Sequence, residues 1–278
     1  MKNNKKYIAK GIIIATTMAN MPINSLANTI DNYKTENTLN NNIKKDFTRI
    51  LSAKEKQVSN RSVIQGKECV ITLSEGQNVP ENLRHNPDGY EIIKVITTGD
   101  KKLDETDFTR LRLSLIPKID LSQAKADSIP NNAFKSSTLS EFKFPQGVTS
   151  IGDYAFHECR GFIGDLVIPD SVVSTGEWSF SNSEFTGNLI LGDSIESIGE
   201  FSFYNCYDFR GDLIIPDSLI TVGDYAFYNT GFETLRLGNS VTTIGNHAFA
   251  ESWNLTGDLI IPDSVTTIGE EAFFLEYI

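Results

Sequence analysis

The sequence predicts a repeat solenoid in which short parallel strands stack coil upon coil. Three observations point there. The phrase GDLIIPDS occurs at 211–218 and again, letter for letter, at 257–264, with the near copy GDLVIPDS at 164–171. Each copy leads to a small residue followed by phenylalanine. This phenylalanine recurs at Phe134, Phe156, Phe180, Phe203, Phe227, Phe249 and Phe273, in steps of 22, 24, 23, 24, 22 and 24 residues. Within each unit, apolar residues alternate as they do in a strand. A unit of about 23 residues cannot bury its own apolar side, whereas a stack of such units can.

Residues 1–27 are expected to form an export signal. MKNNKK is basic, GIIIATTMA is apolar but too short to span a membrane, and SLA supplies small residues for cleavage after Ala27. No second apolar segment follows and no LPxTG-type sorting signal closes the chain, so an exported product is expected to be released or held non-covalently. Residues 28–60, with KTENTLNNNIKK, read as a disordered or weakly helical linker. Residues 61–117 read as an N-terminal cap with degenerate first repeats. GYEIIKVITTGD predicts a strand, LDETDFTRLRL a short amphipathic helix, and LIPKIDLSQA a further strand running into the solenoid. A cap is needed because an uncapped first coil would expose its apolar columns.

Residues 118–278 carry about seven coils, and residues 211–227 illustrate one. Leu213 and Ile215 alternate with Asp212 and Ile214, so the first pair is expected inside and the second outside. Pro216 ends the strand and PDS turns the chain. LITVG predicts a second short strand. Gly223 is expected either where a side chain would clash or where φ is positive. DYAF suits a single turn of helix, with Asp224 at its positive end.

The coil pattern LxxIxLPxxVTxIGxxAFxxC, met nearly throughout by LSEFKFPQGVTSIGDYAFHEC at 139–159, resembles BspA-like leucine-rich repeats over about residues 90–278. The resemblance implies a curved solenoid with a parallel β-sheet on its concave face, and with the short second strands and helical turns on the convex side. It also implies a bacterial surface or secreted protein that binds host or matrix proteins.

The net charge is −11, and loss of the four lysines of the signal would make it −15. From residue 134 onward, 21 Asp and Glu face 5 Lys and Arg. Such a chain repels phosphate backbones and anionic membranes, which excludes nucleic acid as a partner class. The acids recur in two columns: Asp153, Glu177, Glu200, Asp224 and Glu270 after the repeat glycine, and Asp170, Asp193, Asp217 and Asp263 in the turn. They read either as a calcium ladder or as caps of turns. Asn246 and Asn239 standing in the same columns favour caps, and no DxDxDG or GGxGxDx motif supports calcium.

No catalytic residue, metal ligand or cofactor is expected. His85, His157 and His247 have no metal spacing, and no GxSxG, P-loop or strand-borne GxGxxG occurs. Cys159 and Cys206 hold equivalent places two coils apart, roughly 10 Å on the spacing of stacked strands. That is beyond disulfide reach, so both are expected to stay reduced. Trp178, in the place of Tyr154 and Tyr225, reads as packing; Trp253 lies in a longer loop and is a candidate binding anchor.

The outward strand residues are Lys143, Val167, Ile190, Ile214, Arg236 and Ile260, and with Trp253 they form the candidate binding face. An apolar strip with a polar rim suits protein recognition, although Val and Ile also favour strands that bind nothing. The chain therefore reads as a secreted or surface-associated, non-enzymatic binding protein, adhesin-like, whose partner is a host or matrix protein. The alternatives are a structural spacer or truncated repeat remnant, and a cation-dependent cell-wall enzyme.

Overall fold

The computed structural model describes residues 63–65 and 68–275. The expected export signal and linker lie outside the described residues.

The described chain begins with a five-stranded sheet of Val63–Gln65, Glu68–Leu73, Ile92–Thr97, Lys118–Gln123 and Glu141–Lys143. Its first pair is antiparallel and the rest are parallel. The helix predicted from LDETDFTRLRL is Glu105–Leu113, started by a reciprocal cap in which Asp104 accepts from the Asp107 amide and Asp107 from the Asp104 amide. Asp107 is fully buried. It is neutralised by the Lys101 ammonium at 2.7 Å and accepts the Val79 amide at 2.7 Å. Phe108 on this helix meets Phe134 edge-on with ring centroids 6.0 Å apart. The cap thus closes the first coil with an aromatic contact in place of an open apolar end.

Beyond it, the coils from Leu166 to Arg236 each contribute to two sets of parallel pairs, and the coil at 257–273 contributes only to the second. One holds the leucine-bearing strands: Leu166–Val167 pairs with Leu189–Ile190, and Asp212–Ile214 with Thr234–Arg236. The other is a seven-stranded sheet of two-residue strands running from Ser128–Ile129 to Thr267–Ile268. Its register puts Ile198, Val222 and Ile244 directly opposite one another. Between the ladders, the recurrent phenylalanines stack from Phe134 to Phe273 with centroids 5.1–5.4 Å apart. Burial of one such side chain contributes roughly 1.5–3 kcal/mol. Strict repetition follows, because each ring needs the same ring in the next coil.

Two local expectations resolve on closer geometry. DYAF and its equivalents form consecutive tight turns and not a turn of helix. The Gly152 carbonyl accepts from the Ala155 amide, with Tyr154 at φ 56°, and the Phe156 carbonyl accepts from the Cys159 amide, with Glu158 at φ 56°. A left-handed third residue is what a type II turn requires. As for Gly223, the cause is space. A Cβ there would lie 2.8 Å from the Glu200 amide nitrogen of the preceding coil.

Candidate binding face

Strand parity builds the face. Val167 is flanked in sequence by buried Leu166 and Ile168, Ile190 by Leu189 and Leu191, and Ile214 by Leu213 and Ile215. Because the side-chain period of a strand is two, the three middle residues all point away from the core. They are 49–54 % exposed. Val167 is in register with Ile190, and Ile214 with Arg236. An Arg210 amide to Gly187 carbonyl bond of 3.0 Å carries the stack between those two pairs.

The row ends in cations. Lys143 is opposite Asp120, and its ammonium lies 3.4 Å from the Asp120 carboxylate and 3.9 Å from that of Glu141. Burial works against the Asp120 charge, but hydrogen bonds from Ser122 and the Lys143 ammonium outweigh it and hold the pKa below the usual carboxylate value. Arg236 is exposed at the other end. Ile260 and Trp253 are also exposed, but residues 257–262 form no strand, so these two stand apart from the continuous strip.

Carboxylates border the strip on both sides. Before it in each strand, Asp165 accepts from the Asn188 amide at 2.7 Å and Asp212 from the Thr234 hydroxyl at 2.6 Å. After it, in the turns, Asp170 accepts from the Asp193 amide at 3.3 Å and Asp217 from the Asn239 amide at 2.7 Å. After the repeat glycine, the aspartates and the asparagine of the column behave alike. Asp153 takes the Glu177 amide, Asp224 the Asn246 amide, and Asn246 in turn the Glu270 amide. At these three positions the side chain therefore caps the next coil rather than its own turn. Asparagine can replace aspartate here because its Oδ1 accepts equally well.

Two further columns run from coil to coil. Tyr154, Trp178, Phe201, Tyr225 and His247 stack ring on ring, with centroids 6.2, 4.1, 4.8 and 4.6 Å apart. All five backbones are left-handed, an uncommon conformation for bulky residues. Their aromatic identity at one repeat position was the available signal, although only Trp178 was read that way. The second column explains the cysteines. The thiols of Cys159 and Cys206 donate to the Phe134 and Phe180 carbonyls, as the hydroxyl of Ser183 donates to Phe156 and that of Ser252 to Phe227. Burial pushes the thiols up to about 11 and about 12 respectively, and both are free. His157 packs edge-on against Tyr154 and Trp178, and its pKa is lowered by burial, aided by Lys135 and Arg160 and opposed by Glu158.

A family model described as BspA type leucine-rich repeat region matches in 6 copies, over residues 127–256 and 179–277. The chain belongs to the BspA-type leucine-rich repeat family. No curated protein matches it by sequence. Among solved structures, this BspA-type chain is similar to a Treponema pallidum leucine-rich repeat protein, at 17% identity and TM-score 0.49, over 76% of this chain and 84% of that one. It is also similar to a leucine-rich repeat protein from Eubacterium ventriosum (16%, TM-score 0.48, 74% of this chain and 58% of that one). A third is the pneumococcal vaccine antigen PcpA (16%, TM-score 0.35, 73% and 59%). The BspA-type chain thus spans less than two thirds of the latter two proteins. No helix among its described residues is long and apolar enough to cross a membrane.

Proposed function

We propose that this BspA-type protein is an exported, surface-associated or secreted binding protein without enzymatic activity, whose strand face recognises another protein. One observation carries the reading. Val167, Ile190 and Ile214 hold half their surface open on three consecutive strands while the residue on either side of each is buried. Contiguous apolar surface with a charged rim is what protein interfaces bury at their centre. Membership of a family of repeat proteins supports an interaction role, and a host or matrix protein is the partner class proposed.

The test is capture of extracellular matrix proteins by the full chain and by the triple variant Val167→Lys, Ile190→Lys, Ile214→Lys. Strands tolerate lysine on a solvated face, since strand propensities span only about 1 kcal/mol. A variant that keeps its melting curve and loses the captured protein supports the face. A folded variant that retains the protein moves recognition elsewhere, with the exposed Trp253 loop next to be tested.

A further inference from the structure

We infer that the strip of Val167, Ile190 and Ile214 docks a basic amphipathic helix of its partner, laid along the solenoid axis. The inference rests on the strand-face reading above and adds the chemistry and shape of what binds. Charge supplies the first argument. The strip lies between two lines of exposed carboxylates, Asp165 and Asp212 on one side and Asp170, Asp193 and Asp217 on the other. Their hydrogen bonds to amides, side-chain amides and a hydroxyl leave the negative charge in place, because none of these partners is a cation. A segment seated on the strip must carry apolar groups in the middle and cations along both edges. An acidic segment would set like charges together along its whole length.

Spacing supplies the second. Stacked strands rise about 4.8 Å per coil, so three coils present their apolar groups over about 10 Å. On a helix, apolar residues at i, i+3 and i+7 span about 10 Å along one face. An extended strand would place three same-face residues over about 13 Å and fall out of step by the third. A helix also shows its neighbouring positions on both flanks of the apolar stripe, which is where the two carboxylate lines stand. Length is the third. Lys143 and Arg236 replace the apolar residue on the coils just before and just after the strip, so the apolar contact is limited to about two turns, and a basic helix meets like charge at the Arg236 end.

The experiment uses the full chain and three synthetic peptides. One is a helix with leucines at i, i+3, i+4 and i+7 and lysines on both flanks; the second has glutamates for the lysines; the third scrambles the basic sequence. Anisotropy titrations at low and physiological salt should show the basic helix binding, the acidic one failing, and the scramble weaker by roughly tenfold. The set Asp165→Asn, Asp212→Asn, Asp170→Asn, Asp193→Asn and Asp217→Asn keeps each Oδ1 acceptor and removes only charge. It should weaken the basic helix by roughly tenfold and flatten the salt dependence. The triple lysine variant should abolish binding; if that variant does not fold, serine at the same three positions serves instead.

Equal affinity for the basic helix and its scramble would mean that net charge alone attracts cations, and would overturn the inference. Tighter binding of the acidic helix would also overturn it. The two readings fail separately. A captured protein lost from the triple variant but kept by the asparagine set leaves strand-face recognition standing and refutes the basic helix. A captured protein kept by both variants refutes the face itself.

Discussion

The octapeptide GDLIIPDS at 211–218 and the identical octapeptide at 257–264 have different environments. In the first, Leu213 and Ile215 are 1 % and 2 % exposed; in the second, Leu259 and Ile261 are 38 % and 39 % exposed. The first includes a strand paired with Thr234–Arg236, whereas the second forms none. The same letters thus give a core in one place and a surface in the other. What differs is the neighbour: the coil at 211–227 has one on each side, and the coil at 257–273 has one on only one side among the described residues. Burial in this fold belongs to the interface between coils, so stability is close to a sum of nearest-neighbour terms.

The largest test of that idea is a matched pair of truncations. Leu213→Ala should cost about 2–5 kcal/mol, since it removes a buried side chain and leaves a cavity walled on both sides. Leu259→Ala should cost roughly 1 kcal/mol, because the side chain is already part-solvated and no closed cavity forms. Urea denaturation followed by tryptophan fluorescence and circular dichroism measures both. Equal losses would mean that the final coil is as integral as the interior ones.

A smaller contrast comes from the repeat glycines. A Cβ on Gly223 would lie 2.8 Å from the backbone of the preceding coil, and one on Gly269 would come closer still to the Asn246 amide nitrogen. By local distance the second clash is the worse. The coil bearing Gly223 is held from both sides, so Gly223→Ala should cost about 1–3 kcal/mol as strain. The last coil can lift away, and Gly269→Ala should cost less despite the shorter contact. Thermal melts of the two variants decide it.

Much of this was legible in the letters, and for a physical reason. A repeat must match its neighbour, so the spacing of Phe134 to Phe273 prescribes the ring stack, and alternation around Leu213 prescribes which residues point out. The helix at Glu105–Leu113 was legible from its apolar spacing. The exposure of Leu259 was not, because its own sequence is that of Leu213 and the difference lies in another coil. Nor was the turn at Gly152–Cys159, where helix-compatible residues are overridden by left-handed Tyr154 and Glu158, held by coil-to-coil bonds such as the Tyr154 amide to the Glu177 carbonyl at 2.9 Å. Along the chain the acid columns look like caps of their own turns, whereas Asp224 finds its amide across the chain in Asn246.

Chemical labelling extends the contrast to opening. Cys206 is fully buried between coils, and its thiol is pushed up to about 12 by that burial, so the native protein should resist alkylation there. Ser252 occupies the equivalent column next to the final coil and is also buried. Ser252→Cys should be alkylated faster than Cys206 in the same molecule, because only the last coil need lift to expose it. Intact-mass and peptide analysis after timed alkylation gives the two rates. Equal rates would mean that the coils open together.

The smallest effect expected is electrostatic and concerns His157. Its ring is packed among Tyr154, Trp178 and Glu158, and the buried Nδ1 has no hydrogen-bond partner among the described residues. Burial therefore lowers its pKa below 6.5, with Lys135 and Arg160 adding to the shift and Glu158 opposing it. Above 6.5 the imidazole is neutral in both the folded and unfolded chains, and stability carries no pH dependence from this group. As pH falls through 6.5 the unfolded chain takes up the proton first, so stability declines until the lower folded pKa is reached and then levels off. Tyrosine is the residue that Tyr204 and Tyr228 supply in the same column, so His157→Tyr should fold and remove that slope. In the last coil the column holds Phe274, which is exposed. Phe274→His places the same imidazole where water can solvate its charge, and should add little slope of its own. Urea midpoints at intervals from pH 7 to pH 5 compare the three proteins. A slope unchanged by His157→Tyr, or one reproduced by Phe274→His, would show that the interior packing of His157 is not its source.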